Sequence, residues 1–343
     1  MTSDGGTIRY IHETPPEFGV PTPVADGIEW LRLPLPMALD HVNCWLLDEG
    51  DGAVTVVDTG FDSRKTRDLW NRALDGRRVT RVVVTHHHPD HVGLAGWFQA
   101  EHGAELLMPR TGWLMARMLT LDVHERPTPE TLAYWRAAGM PPEMIETRAA
   151  ERPFNFADVV APLPLGYRRL TNEDMICLGG RWWHIHCGDG HAPEHATLWE
   201  EDGPLILGGD QLLPSISPNL GTYATEPEAD PVGDWLASCE RFRGLATPDR
   251  IVLPGHKLPF QGLPTRLRQL VENHEGALDR LRSHLAEPRS AVECFRPVFK
   301  REIREAEFGL ALVEAVAHCQ HLVHRGEALR ETDADGVWRF ALR

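Results

Sequence analysis

Residues 85–91 read Thr-His-His-His-Pro-Asp-His, directly after the apolar run Arg81-Val-Val-Val84. The run has the character of a buried strand, so the imidazoles of His86, His88 and His91 and the carboxylate of Asp90 leave that strand together. Burying such groups without partners costs roughly 2–7 kcal/mol each. A shared divalent cation satisfies them at once. In extended chain His86 and His88 point the same way, because the side-chain period is two. Pro89 then turns the backbone, and Val92-Gly-Leu-Ala-Gly-Trp-Phe98 begins a helical pattern that aims Asp90 and His91 at a neighbouring point. The spacing therefore predicts a metal site with room for a second ion. His87, between the two paired histidines, is expected to face away.

The motif His86-x-His88-x-Asp90-His91 resembles the signature of the metallo-β-lactamase-fold superfamily, hydrolases built as an αβ/βα sandwich. Further elements are similar to the superfamily's pattern, in its order. Gly52-Ala-Val-Thr-Val-Val-Asp58-Thr-Gly60 resembles the strand whose terminal Asp supports a metal-binding histidine from behind. In His184-Ile-His-Cys-Gly-Asp-Gly-His191-Ala-Pro-Glu-His195, the resemblance makes His191 a ligand and leaves His195 outside the ligand set, in a structural role or one behind a ligand. Leu205-Ile-Leu-Gly-Gly-Asp210 resembles the strand ending in a bridging acid, and Ile251-Val-Leu-Pro-Gly-His256 the element that supplies the last ligand.

What the resemblance implies is a divided ligand set. His86, His88 and His191 would hold one ion, Asp90, His91 and His256 the other, with Asp210 shared and Asp58 behind. Neutral imidazoles with carboxylates suit Zn²⁺, two per chain, with Fe or Mn as alternatives. Two cations about 3.5–4 Å apart hold a bridging hydroxide at ordinary pH, so no Ser or Cys nucleophile is needed. Asp90 and Asp210 are the expected catalytic carboxylates, ionised beside the metals and orienting the attacking water.

Departures from particular branches narrow the expectation. Asp210 stands where the β-lactam-hydrolysing members with a cysteine site carry Cys, and His88 where the flavodiiron members carry Glu. The glyoxalase II-like thioesterases share all the implied ligand positions, but their basic glutathione-binding residues have no counterpart located here. The reading is a zinc-dependent dinuclear hydrolase acting on an ester, thioester or lactone of a small acyl substrate. Alternatives are a phosphodiesterase or endoribonuclease using the same metals, a mononuclear iron persulfide dioxygenase, and a nucleic-acid-binding regulator with a structural metal site.

At 343 residues the chain can bury a large core, and it divides on pattern into a catalytic domain over 1–260 and a C-terminal domain over 261–343. A helical insertion is expected at about 111–150, where Trp113, Met115, Met118, Tyr134, Trp135 and Met140 would line a lid or simply pack. The tail shows helical spacing over 263–285, 291–300 and 308–325, then a hairpin over 328–341 turning at Asp335-Gly336. Helices followed by a hairpin resemble the winged-helix appendage of some superfamily members. Residues 257–343 hold 14 basic and 13 acidic side chains, which leaves 21 against 37 over residues 1–256. So acidic a catalytic part disfavours nucleic acid as partner. A small-molecule substrate is expected, with the tail capping the site or packing a homo-oligomer, and Tyr223 is the candidate to touch substrate. Six scattered cysteines fit reduced thiols. The opening Met1-Thr-Ser-Asp-Gly-Gly-Thr7 has no basic head or apolar run, and no stretch reaches membrane length, so the expected location is the cytoplasm, without membrane contact.

Overall fold

The computed structural model describes residues 6–343. Residues 1–5, part of the opening stretch read above as lacking a leader, lie outside the described residues. The chain forms two compact units that are not consecutive in sequence. The first takes the chain up to Val123 with Asn155–Ser217 and Leu245–Arg266; the second takes His124–Phe154, Pro218–Gly244 and Leu267–Arg343. No helix among the described residues is long and apolar enough to cross a membrane.

The first unit carries two seven-stranded sheets. Its strands are β1 (Arg9–Tyr10), β2 (Thr22–Ala25), β3 (Ile28–Pro34), β4 (His41–Gly50), β5 (Ala53–Val57), β6 (Arg78–Val83), β7 (Glu105–Pro109), β8 (Arg168–Leu170), β9 (Met175–Leu178), β10 (Arg181–Gly188), β11 (His195–Glu200), β12 (Leu205–Gly209), β13 (Ile251–Pro254) and β14 (Phe260–Gln261). One sheet runs β2-β3-β4-β5-β6-β7-β8, the other β1-β14-β13-β12-β11-β10-β9. The helices of this unit are α1 (Arg64–Leu74), α2 (Pro89–Val92), α3 (Ala95–His102) and α4 (Arg110–Leu121). The sandwich architecture expected from the motifs is present.

Period-two patterning explains the layers. Val54 and Val56 of β5 face one way, into a core shared with Leu69 and Trp70 of α1 and Phe98 of α3. Val57 faces the other way, into a core with Trp30, Trp45 and Val83 from its own sheet and Trp183, Ile185, Leu198 and Leu207 from the second. Both faces of β5 and β12 are covered, which is why these strands read as largely apolar runs, β5 broken only by Thr55. Parallel pairing joins β5 to β6 in the first sheet and β12 to β13 in the second. Every motif singled out in the sequence except the His191 stretch lies just beyond the carboxyl end of one of these four strands. Open α/β sheets place their ligand sites there.

The second unit contains α5 (Pro129–Ala137), α6 (Pro142–Ala149), α7 (Pro231–Arg243), the part of α8 (Leu263–His284) from Leu267 on, α9 (Phe295–Phe299) and α10 (Phe308–His324), followed by the hairpin strands β15 (Ala328–Thr332) and β16 (Trp338–Leu342). Pro129, Pro142 and Pro231 open their helices, where a missing N–H does no harm. Leu278, Leu281, Leu312, Val316 and Phe340 pack with Tyr134 and Met140 in one core. The expected insertion thus divides: α4 belongs to the first unit, and from His124 on the segment clusters with the second. In the tail hairpin Asp335-Gly336 lies within a loop that Asp333 organises, its carboxylate accepting from the N–H groups of Asp335 and Val337 at 2.9 and 3.0 Å.

Candidate metal centre

Strand ends aim the side chains. After β5 the chain turns at Asp58, which takes a left-handed conformation (φ 58°) tolerable for Asp. After β6, Thr85-His86-His87-His88 stays irregular until Pro89 starts α2, which presents Asp90 and His91 from its first turn. Across the sandwich the N–H of Ala196 donates to the carbonyl of Thr85 at 2.9 Å. That bond brings the start of β11, and with it the His191 loop, against the end of β6.

The structure brings His86, His88, Asp90, His91, His191, Asp210 and His256 together. Ligand-type atoms of His86, His88 and His191 lie within 4.8 Å of one another, as do those of Asp90, His91 and His256, and those of His86, His91 and Asp210. Nε2 of His86 and Nε2 of His191 each stand 3.0 Å from Nδ1 of His88. Asp210 faces histidines from both sets: Oδ1 lies 3.5 Å from Nε2 of His91, and Oδ2 lies 3.5 Å from Nε2 of His191 and 3.2 Å from Nε2 of His256. Oδ2 of Asp90 is 3.4 Å from Nε2 of His256.

The donor set fits a cation. Thr85 Oγ1 gives its only hydrogen to the Asp58 carboxylate, 2.9 Å from Oδ2, so it accepts from Nδ1–H of His86 at 3.0 Å. Nε2 of His86 is therefore a lone pair turned toward the other nitrogens. Nδ1 of His91 donates to Asp58 Oδ2 at 2.8 Å, and Nδ1 of His256 donates to the carbonyl of His41 at 2.6 Å. Both leave Nε2 toward the carboxylates. Nε2 of His91 and Oδ1 of Asp210 are buried without a hydrogen-bond partner among the described residues, 3.5 Å from each other. Unpaired buried groups of this kind are rare, and a cation between them would satisfy both.

Charge is distributed unevenly over the cluster. Burial, reinforced by neighbouring imidazoles, pushes His86 and His88 well below the usual histidine range. Burial acts the same way on His91 and His256, but Asp210 and Asp90 outweigh it, holding His91 well above that range and raising His256 to about 10. Against the opposing effect of burial, His256 and His91 hold the Asp210 carboxyl well below the usual carboxylate range. This half of the cluster attracts positive charge, and a metal ion there competes with protons.

Residues 37–256 match the family model described as the metallo-beta-lactamase superfamily, and residues 278–343 match one described as the metallo-beta-lactamase-like C-terminal domain. The chain belongs to the metallo-beta-lactamase superfamily. Among solved structures, a beta-lactamase domain protein from Burkholderia ambifaria is 35% identical, with 98% of each chain covered and a TM-score of 0.89. A metallo-beta-lactamase family protein from Thermus thermophilus is 27% identical, with 94% of this chain and 100% of that one covered and a TM-score of 0.77. The Bacillus subtilis protein named "Probable metallo-hydrolase YqjP" is 26% identical over 297 residues, 84% of this chain and 89% of that protein. A hydroxyacylglutathione hydrolase from Pseudomonas paraeruginosa is 37% identical over 83 residues, which is 24% of this chain and 31% of that enzyme. The protein is thus a metallo-hydrolase of this superfamily, whose members use divalent metals.

Several residues that shape this superfamily site escape a reading of the sequence. Thr85 links His86 to Asp58, a role its position beside His86 could have suggested. The carbonyl of His41 orients His256 across 215 residues of chain. Asn43 holds the Pro254–Lys257 turn, its Nδ2 donating to the carbonyls of Pro254 and Lys257 at 2.9 and 2.8 Å. Nothing in the sequence separates Asn43 from an ordinary strand residue. His87, expected to face away from the paired histidines, is buried, its ring near-parallel to that of Phe156 with centroids 6.5 Å apart. Tyr223 belongs to the second unit and is half exposed there.

Proposed function

We propose that this protein is a dinuclear, zinc-dependent hydrolase that cleaves an ester, thioester or lactone of a small acyl substrate. The observation that carries the reading is the placement of Asp210 between the two histidine sets, within 3.5 Å of His91, His191 and His256. When bound, a pair of divalent cations supplies a water of lowered pKa and an electrophilic seat for a carbonyl oxygen.

The chain's own residues do the rest. His86, His88 and His191 hold one position, Asp90, His91 and His256 the other, and Asp210 serves both. Asp58 fixes the tautomer of His91 directly and that of His86 through Thr85, so both present Nε2 to the centre. Asp90 and Asp210, kept ionised by the imidazoles around them, accept a hydrogen bond from the attacking water and orient it.

The short match to hydroxyacylglutathione hydrolases supports acyl chemistry over phosphodiester cleavage, as does the near-neutral tail. Along the sequence we assign residues 1–260 to the catalytic domain and 261–343 to the appendage, with residues 124–154 and 218–244 of the former clustering in the second compact unit. The test is elemental analysis of protein purified without added metal, beside a panel of thioester, lactone and phosphodiester substrates. Two zinc ions with acyl turnover are expected. One iron per chain with oxygen uptake and no hydrolysis, or turnover of the phosphodiester alone, would overturn the reading.

A further inference from the structure

His195 opens β11 and is fully buried, yet it reaches no position in either ligand set. Its Nε2 lies 3.0 Å from the main-chain nitrogen of Asp210. A main-chain N–H can only donate, so Nε2 is the acceptor and the ring's proton sits on Nδ1. The same ring lies against His86, centroids 4.5 Å apart and planes inclined by 24°. It is therefore wedged between a ligand of one set and the backbone of the residue both sets share.

The end of β12 is shaped around this ring. Gly209 has φ 47°, and a Cβ there would stand 2.5 Å from Cε1 and 2.8 Å from Nε2 of His195. Pairing of β12 with β13 shifts register between Leu207 and Gly209, a device that re-aims the side chain that follows. That side chain is Asp210. Its Oδ1 has no hydrogen-bond partner among the described residues and its Oδ2 meets His191 and His256, both members of the histidine sets, while His195 bears on the residue from the main-chain side and from outside those sets.

We propose that His195 is a positioning residue that holds the main chain of Asp210, through its Nε2 acceptor, in the conformation that turns the carboxylate toward both histidine sets. The inference rests on the two-metal reading of the centre. It separates two properties of the ring, its acceptor atom and its volume against His86. His195→Phe keeps a ring and removes the acceptor; His195→Gln keeps an acceptor and removes the ring.

The experiment measures affinity for Zn²⁺ by competition with a chromophoric chelator, on wild type and both variants, with the melting temperature of each metal-free protein taken separately. His195→Phe is expected to weaken binding about 10–100-fold, the range seen when a partner behind a metal ligand is lost. His195→Gln should recover most of that loss. A general packing role would lower the melting temperature of both variants and leave the acceptor-bearing one no better at binding zinc. A second readout needs no variant to bind metal: nitrogen-15 spectra of the wild-type histidines, with His195 assigned by its absence from His195→Gln, should show the Nδ1–H form. Wild-type zinc affinity in His195→Phe, or an Nε2–H form of His195 in the wild type, would overturn the proposal. If the wild type takes up no second ion, the two-metal reading fails separately, and the ring's protonation still decides for or against His195.

Discussion

Replacing Asp58 by Asn changes almost no volume and tests the support of the metal centre directly. Asp58 uses both oxygens: Oδ1 accepts from the N–H of Thr85 at 2.9 Å, and Oδ2 accepts from Thr85 Oγ1 at 2.9 Å and from His91 Nδ1 at 2.8 Å. Asn has a single oxygen. If it faces Thr85, the amide NH2 confronts Nδ1–H of His91; if it faces His91, the NH2 confronts the N–H of Thr85. Either way one buried donor is stranded, at about 1–3 kcal/mol. His91 can escape only by moving its proton to Nε2, the atom that faces Asp90 and Asp210. Nε2 then has no lone pair for a metal. The expected result is a loss of about 10–100-fold in metal affinity, equivalent to about 1.4–2.8 kcal/mol. Backbone strain does not enter, because Asn accepts the left-handed conformation of residue 58 as readily as Asp. The assay is chelator competition for each ion, with thermal unfolding of the metal-free variant as control. Wild-type affinity for both ions in Asp58→Asn would refute the reasoning.

Asp210→Ala should abolish turnover of any substrate found while leaving circular dichroism near wild type, because it removes a carboxylate that faces both histidine sets; retained full activity would exclude a shared-carboxylate mechanism. Gly96→Ala should lower stability by about 1–3 kcal/mol or more, since a Cβ at 96 would stand 1.9 Å from the carbonyl oxygen of Pro162; a denaturant midpoint equal to wild type would contradict this packing. In the second unit, burial, with His318 and His321 adding to it, lowers His274 from 6.5 to about 3. Its folded pKa is depressed, so the unfolded chain binds the proton first, and stability is full above about pH 6.5 and falls as pH drops toward 3. At pH 5 the loss is about 2 kcal/mol. Urea midpoints at pH 7 and pH 5 should therefore differ less in His274→Phe than in wild type, and an equal difference would show that His274 is not the group involved.

The fold was legible because its motifs sit at strand ends. Runs such as Val54–Val57, Leu205–Leu207 and Ile251–Leu253 are largely buried and read as mostly apolar stretches, and the polar residue that follows each run either faces the centre, as Asp210 and His256 do, or supports it from behind, as Asp58 does. The helices of the tail were legible from their leucine spacing, and Leu278 and Leu281 do face a core. Assignment of segments to units was not legible. Residues 124–154 and 218–244 cluster with the tail through apolar contacts far apart in sequence, and local periodicity records which face of a helix is apolar without recording what that face meets.

The same boundary runs through the candidate site. Sequence alone pointed to His86, His88, Asp90 and His91 as candidate metal ligands, since imidazole and carboxylate groups bunched after a buried strand have few other ways to be satisfied, and His191, Asp210 and His256 were added only by the family resemblance. Only the tertiary structure decided how those groups are held. The carbonyl of His41 orienting His256, Asn43 pinning the turn after β13, and the N–H of Asp210 resting on His195 all involve main-chain groups. Every residue type offers such a group, so it leaves no mark in a sequence and becomes specific only when folding brings two distant stretches of chain within hydrogen-bonding reach.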